Sequence, residues 1–79
     1  MVTVVFLGKL ADLAGAPSLS LGAPLDWAGL RAALPKALAE VLDDPRNRVA
    51  VNGVLVADKA GLRAGAGDEI ALLPPVSGG

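Results

Sequence analysis

Residues 69–79 read EIALLPPVSGG, a short apolar strand that two prolines bring to an end before a pair of glycines. Neither Pro74 nor Pro75 has a backbone N–H, and each fixes its own φ, so the strand must end near Leu73. From Pro74 to Gly79 an extended chain reaches roughly 20 Å, at about 3.3–3.6 Å per residue. Because glycine has no Cβ, this tail can enter a narrow slot and deliver the α-carboxylate of Gly79.

A glycine-rich ending also has a simpler interpretation. Many chains finish in disordered segments, and some carry remnants of cloning. The order of the residues favours a functional tail: an apolar strand, a rigid double proline, a branched residue, a small hydroxyl residue and two glycines.

The composition is that of a small globular domain that is not expected to catalyse a reaction by itself. Of 79 residues, 53% are apolar and 19% charged, and the net charge is −1. Balanced charges make nucleic acid an unexpected partner. Cysteine and histidine are absent, so we predict no disulfide, no metal site and no independent catalysis. The chain lacks a long apolar run and a basic leader, so we also predict a cytoplasmic protein that does not enter membranes.

The pattern of the first half of the chain predicts two strands, a short helix between them and a longer helical region after them. A β-prone run over 2–7 places Val2, Val4 and Phe6 on one face. A short helix over 9–14 is predicted to close at Gly15, and residues 18–21 alternate as a half-buried strand.

Apolar residues three or four apart over 27–41 indicate helix, with Asp26 as its N-cap and Trp27 at the edge of the core. Pro35 interrupts this pattern. It either kinks one helix or separates two, and we favour two segments.

The second half predicts a hairpin and a final strand. Two β-prone runs over 48–56 meet at Asn52-Gly53, the commonest signal for a tight hairpin turn. Residues 57–67 are polar, with Leu62 as an inward-pointing residue, and Gly67-Asp68 turns the chain into a last strand over 69–73. Strands on either side of one helical region indicate an α+β fold with the helix on one face of the sheet.

The opposite face of this sheet must meet water or a partner. Strand alternation places four apolar residues there, beside the root of the tail: Val5, Leu7, Ala71 and Leu73. Such strips mark interfaces, so we predict that these residues bind a partner. The alternative is that the segment after Gly8, or the loop near Leu62, covers them.

The sequence resembles the small subunits of molybdopterin synthase, which are ubiquitin-like β-grasp sulfur carriers. The resemblance covers nearly the whole chain: Val4-Val5-Phe6, Leu13-Ala14-Gly15, Val51-Asn52, and Gly67-Asp68-Glu69 through to Gly79. Carriers of the thiamine pathway share the fold and the two glycines but usually lack the double proline. Leu7, Leu72 and Leu73 stand where the family often has aromatic residues. The expected interface therefore has a smaller apolar area but is still apolar.

The resemblance implies a β-grasp fold with a mixed sheet of about five strands, forming one domain over 1–79 from which residues 73–79 protrude. It also implies a sulfur carrier for molybdenum cofactor synthesis that is not an enzyme on its own. An adenylating enzyme related to ubiquitin-activating enzymes would use ATP to adenylate Gly79, and sulfur transfer would yield a thiocarboxylate. The tail would then enter the large subunit of molybdopterin synthase and give its sulfur to a pterin precursor. No cofactor would be bound to the carrier itself.

The tail residues have distinct roles in this scheme. Gly79 reacts, and Gly78 keeps the tail slim enough for the slot. Pro74 and Pro75 stiffen the root, which lowers the entropy lost on insertion, and Val76 and Ser77 line the channel.

Three other interpretations stay open. The chain could carry sulfur for transfer RNA thiolation, thiamine or cysteine synthesis. It could be a ubiquitin-like modifier whose Gly79 ends in an isopeptide bond, or an interaction domain whose tail only docks. The last of these predicts no ATP–pyrophosphate exchange with an adenylating enzyme.

Overall fold

A computed structural model describes residues 1–75. Within them the chain forms β1 (Val2–Phe6), α1 (Lys9–Ala14), β2 (Ser18–Leu21), β3 (Leu25–Asp26), α2 (Trp27–Ala33), α3 (Lys36–Leu42), β4 (Arg48–Val51), β5 (Val54–Leu55), a 3₁₀ turn (Lys59–Gly61), β6 (Arg63–Ala64) and β7 (Glu69–Leu73). The helices have six or seven residues each, and in this part of the chain none could span a membrane.

Five strands form one mixed sheet in the order β2-β1-β7-β4-β5. β1 and β7 run parallel, and the other neighbours are antiparallel. A parallel pair needs a long crossover, and the chain between β1 and β7 includes the helices. The α+β class and the five-stranded mixed sheet predicted from the sequence are confirmed.

The core lies between one face of the sheet and the helices. Alternate residues of β1 and β7 point into it, as predicted, and α1, α2 and α3 contribute leucines from the other side. Its largest fully buried side chains are Leu10, Leu30, Leu38, Leu42, Leu62, Ile70, Leu72, Val2, Val4 and Val49. Each buried Leu, Ile or Val contributes about 1.5–3 kcal/mol relative to exposure, so this layer stabilises the fold.

Pro35 separates two helices, as favoured from the sequence. α2 ends at Ala33, and Leu34 is buried and extended, with φ −100° and ψ 156°. The ring of a proline disfavours helical geometry in the preceding residue, which explains the break at Leu34. Pro35 is the residue immediately before α3.

The ends of the helices follow the predicted caps. A carboxylate oxygen of Asp26 accepts the N–H of Gly29 at 2.8 Å, which satisfies one of the free donors at the start of α2. At the end of α1, Gly15 has φ 76°, and its N–H donates to the carbonyls of Ala11 and Asp12.

The Asn52-Gly53 hairpin is confirmed. Val51 pairs with Val54 across the two-residue turn, and Asn52 and Gly53 have φ values of 50° and 82°. Positive φ at both central residues is the type I′ geometry that Asn-Gly favours.

A second, two-stranded sheet was not predicted. β3 pairs with β6, with Leu25 opposite Ala64 and Asp26 opposite Arg63. Residues 57–67, which include β6, were predicted to be a polar segment without a strand. Leu62 in that segment does point inward as expected and is 1% exposed.

Candidate functional site

The face of the five-stranded sheet opposite the helices carries an apolar row that crosses four strands. Val5 pairs with Ala71, Ala71 with Ala50, and Ala50 with Leu55. Paired residues of neighbouring strands project from the same face, so these four side chains form a continuous row.

A second row lies closer to the end of β7. The N–H of Leu7 donates to the carbonyl of Leu72 at 3.1 Å, so β1 stays beside β7 for one residue past Phe6. Leu73 pairs with Arg48 on its other side. We use the name open face for the seven residues of the two rows: Val5, Leu7, Arg48, Ala50, Leu55, Ala71 and Leu73.

The structure brings the four predicted partner-binding residues together on this face. Leu7 is 39% exposed, whereas Val5, Ala71 and Leu73 are half-buried by neighbouring strands. Neither segment named as a possible cover lies over them, because Leu10 of α1 and Leu62 both belong to the core cluster on the helical side.

Sequence reasoning missed Arg48, Ala50 and Leu55 as members of this face. Leu55 is the most exposed of its apolar residues, at 57%. The two-residue turn at Asn52-Gly53 does predict that Val51 faces Val54 and that Ala50 faces Leu55, but it does not show on which face of the sheet that pair lies.

The root of the tail rests on the end of β1. An added Cβ on Gly8 would lie 3.2 Å from Cγ of Pro74, and Gly8 has φ 56°. The absence of a side chain at Gly8 therefore leaves room for the half-buried Pro74 ring, while Pro75 is exposed. Val76, Ser77, Gly78 and Gly79 lie outside the described residues, so their predicted roles stay predictions.

A hydrogen-bond network holds the start of β7. Asn52 accepts the N–H of Glu69 at 2.9 Å and donates to Asp68 at 3.0 Å. The other carboxylate oxygen of Asp68 accepts the N–H of Gly65 at 2.8 Å. The bond from Gly65, followed by that from Asn52, holds the pKa of Asp68 below its usual value. These contacts anchor the strand that carries the tail.

Within residues 1–75, no group of three or more His, Cys, Asp or Glu side chains could hold a metal ion. The ammonium group of Lys59 donates to the carbonyls of Leu42 and Asp44 at 2.6 and 2.9 Å and lies 5.7 Å from the ring centre of Trp27. Lys59 and the partly buried Trp27 thus have structural roles at the end of α3.

Comparisons with known proteins agree with this geometry. The model of the ThiS family matches residues 4–79. A chain from a protein–protein complex of subunits 1 and 2 of the molybdopterin-converting factor of Helicobacter pylori is 34% identical, with a TM-score of 0.70 over 99% of this chain and 97% of that one. SAMP1 from Haloferax volcanii is 27% identical, with a TM-score of 0.68 over 99% and 98% of the two chains. No curated protein sequence matches. The β-grasp fold implied by the resemblance is confirmed.

Proposed function

The chain belongs to the ThiS family of β-grasp sulfur carriers and small modifiers, and from this premise we propose that it carries sulfur on Gly79 for the synthesis of molybdopterin. The observation that carries the proposal is that one strand, β7, both contributes to the open face and leads into the tail. This strand contributes Ala71 and Leu73 to the open face and then leads directly into Pro74. The chain that is 34% identical comes from a molybdopterin-converting factor, which supports this pathway over others.

The proposed chemistry begins at the carboxylate of Gly79. A carboxylate is a poor electrophile, because attack on it would add negative charge to an anion. Its oxygen therefore first attacks the α-phosphorus of ATP and displaces pyrophosphate. Hydrosulfide then adds to the carbonyl carbon of this acyl adenylate and expels AMP, and loss of its proton leaves a thiocarboxylate. If a persulfide adds instead, the product is an acyl disulfide, and a thiol must reduce it to release the thiocarboxylate.

The thiocarboxylate is an anionic sulfur nucleophile, and it replaces the cysteine that this chain lacks. In the large subunit of molybdopterin synthase it would give its sulfur to a pterin precursor, and two such transfers would complete a dithiolene. The groups that bind phosphate and move protons belong to the partners, since members of this family are carriers rather than catalysts.

The open face and the tail have different roles in binding: the open face docks on the partner, and the tail enters its channel. Val5, Leu7, Ala71 and Leu73 dock on the partner, and Leu55 enlarges their surface. Pro74 and Pro75 keep the root of the tail stiff, which reduces the ordering cost of about 1–2 kcal/mol per flexible residue. Val76 and Ser77 pass along the channel, and Gly78 lets Gly79 reach the reacting atoms.

Intact mass of the protein purified from its native host tests the proposal. Replacement of one carboxylate oxygen by sulfur adds about 16 Da, the same increment as oxidation of Met1 to its sulfoxide, so the added mass must be assigned to the C-terminal peptide by fragmentation. A protein that is active in its host and never carries sulfur at Gly79 would contradict the proposal.

Two variants test the tail. Deletion of Gly79 abolishes sulfur loading, and Gly78→Val leaves the domain folded while it blocks both adenylation and sulfur delivery, because a branched side chain does not fit the slot. ATP–pyrophosphate exchange and transfer assays measure the two steps, with circular dichroism as the control for folding. Normal activity of Gly78→Val would count against a narrow channel.

The similarity to SAMP1 favours a second candidate function, because SAMP1 is a small archaeal modifier protein. In a modifier, the acyl adenylate of Gly79 leads to an isopeptide bond with a lysine. Higher-mass conjugates that keep the Gly79 carbonyl on a lysine would identify this function. Purification of the acceptor protein that receives the tail would separate molybdopterin synthesis from the thiolation, thiamine and cysteine pathways.

A further inference from the structure

Arg48 is the charged residue of the open face beside the root of the tail, whereas the exposed Glu69 projects from the same side at the other end of β7. Arg48 begins β4 and pairs with Leu73, the last residue of β7 before Pro74. Its neighbour Val49 is buried in the core, so strand alternation directs the Arg48 side chain to the opposite side, where it is exposed. A guanidinium therefore lies beside the point at which the tail leaves the sheet.

Arg48 has no anionic partner among residues 1–75. The two ion pairs there join Arg31 to Asp43 and Arg46 to Asp44, each at 2.8 Å. Asp58, which lines the same cleft as Arg48, accepts the N–H of Ala60 at 3.1 Å. Asp43 and Asp58 therefore line the cleft of Arg48 without forming an ion pair with it.

Lys59 is a second cation in this cleft, but its charged group is bound by the fold itself. Its ammonium group is held by two backbone carbonyls. Burial lowers the pKa of Lys59, and the charge of Arg48 acts in the same direction, whereas the charges of Asp43 and Asp44 oppose it. The guanidinium of Arg48 is thus exposed and forms no ion pair within residues 1–75, although Asp43 and Asp58 line the same cleft.

We propose that Arg48 recognises a carboxylate on the adenylating enzyme, at the rim of the slot that receives the tail. This inference rests on the proposed function only through the adenylation of Gly79, the step that sulfur carriers of every pathway and modifiers share. It goes beyond that function by assigning an acidic group to the partner and a specificity-determining role to Arg48.

The chemistry of arginine suits this position. Its planar guanidinium can pair with a carboxylate through two parallel hydrogen bonds, and arginine is enriched at protein interfaces, where lysine is depleted. A charge at the edge of an apolar surface mainly sets the rate and orientation of association and has an effect that depends on salt. On the open face, Arg48 would orient the carrier so that Leu73 and Pro74 meet the slot.

The test is ATP–pyrophosphate exchange by the adenylating enzyme of the native host, measured at low and high salt with Arg48→Glu and Arg63→Glu. Both variants change the net charge by the same amount. Arg63 is also exposed, but it lies in the separate β3–β6 sheet, so it controls for the loss of overall charge. Equal unfolding midpoints of the variants would show that both are folded.

We expect Arg48→Glu to raise KM for the carrier about tenfold at low salt, with kcat unchanged and the difference shrinking at high salt. Arg63→Glu should stay within about twofold of the unsubstituted protein. Equal KM values for the two variants would overturn the role of Arg48 while leaving the proposed function intact. If the unsubstituted protein supports no exchange at all, both the inference and the proposed function fail.

Discussion

At the scale of single residues, Asn52 connects two turns that are far apart in the sequence. Its amide accepts from Glu69 and donates to Asp68, while its own backbone has φ 50° as part of the hairpin turn. Asparagine tolerates this left-handed conformation better than most residues, and glycine tolerates it without strain. Asn52 therefore has a conformational role and a hydrogen-bonding role that substitution can separate.

We expect Asn52→Gly to lower the free energy of unfolding by about 1 kcal/mol, since it keeps the turn conformation but loses the side-chain hydrogen bonds. Asn52→Ala should lower it by about 2 kcal/mol or more, because strain at positive φ is added. Urea unfolding of the two variants measures the difference. Equal losses would mean that the backbone conformation at Asn52 is not strained for alanine.

Asp44 contributes to how the stability of the fold changes with pH in acid. Hydrogen bonds from the side chain and the backbone N–H of Arg46 lower the pKa of Asp44 from 3.8 to about 2. Because the pKa is lower in the folded state, the stabilisation is present above about pH 4 and is lost as the pH falls towards 2. Asp44→Asn should therefore show a smaller fall in thermal midpoint between pH 4 and pH 2 than the unsubstituted protein. Arg46→Ala, which removes the side-chain donor, should flatten the profile in the same way, and an unchanged profile in both would refute the role of this pair.

At the scale of the elements, the sequence predicted helices, strands and turns correctly wherever a clear hydrophobic periodicity was followed by a residue that ends the element. α1 ends before Gly15, β2 spans Ser18–Leu21 and the hairpin turns at Asn52-Gly53, all as expected. β3 and β6 were missed because two residues are too few to show alternation, and their pairing joins residues about 40 positions apart. Such contacts are determined by tertiary packing, which local patterns do not report.

Gly15 provides a test of the predicted helix end. It has φ 76°, and no atom lies within 4 Å of an added Cβ, so Gly15→Ala changes backbone strain without a steric clash. We expect this substitution to lower the free energy of unfolding by about 1–2 kcal/mol. Gly22→Ala is the matched control, because Gly22 also has open space around it but no positive φ, and it should be neutral or stabilising by up to about 1 kcal/mol. Similar losses at both positions would show that Gly15 is not needed for its left-handed conformation.

The candidate site was only partly accessible from the sequence. Alternation was sufficient to place Val5, Leu7, Ala71 and Leu73 on one face of the sheet. It did not reveal that β4 lies beside β7, so Arg48 could not be placed next to Leu73. The order of the strands in a sheet depends on which strands pair over long distances, and a single sequence carries little direct information about it.

At the scale of the whole molecule, the two faces of the sheet separate stability from recognition. The helical face is packed with side chains that are almost fully buried, whereas Leu7 and Leu55 on the open face are 39% and 57% exposed. Substitutions on the open face should therefore cost the fold less than substitutions on the helical face. β7 contributes side chains to both faces and leads into Pro74, so substitutions within this one strand can separate the two roles.

The neighbouring leucines of β7 test this division directly, because Leu72 points into the core and is 0% exposed, while Leu73 lies half-buried on the open face. Leu72→Ala removes core contacts and leaves a cavity, so it should lower the free energy of unfolding by about 2–5 kcal/mol. Leu73→Ala should lower it by about 1 kcal/mol or less and instead raise KM in ATP–pyrophosphate exchange, because the lost apolar area belongs to the partner contact. Urea unfolding and exchange kinetics on the same preparations separate the two effects. If Leu73→Ala destabilised the fold as much as Leu72→Ala and left KM unchanged, the open face would be part of the structural core rather than a docking surface.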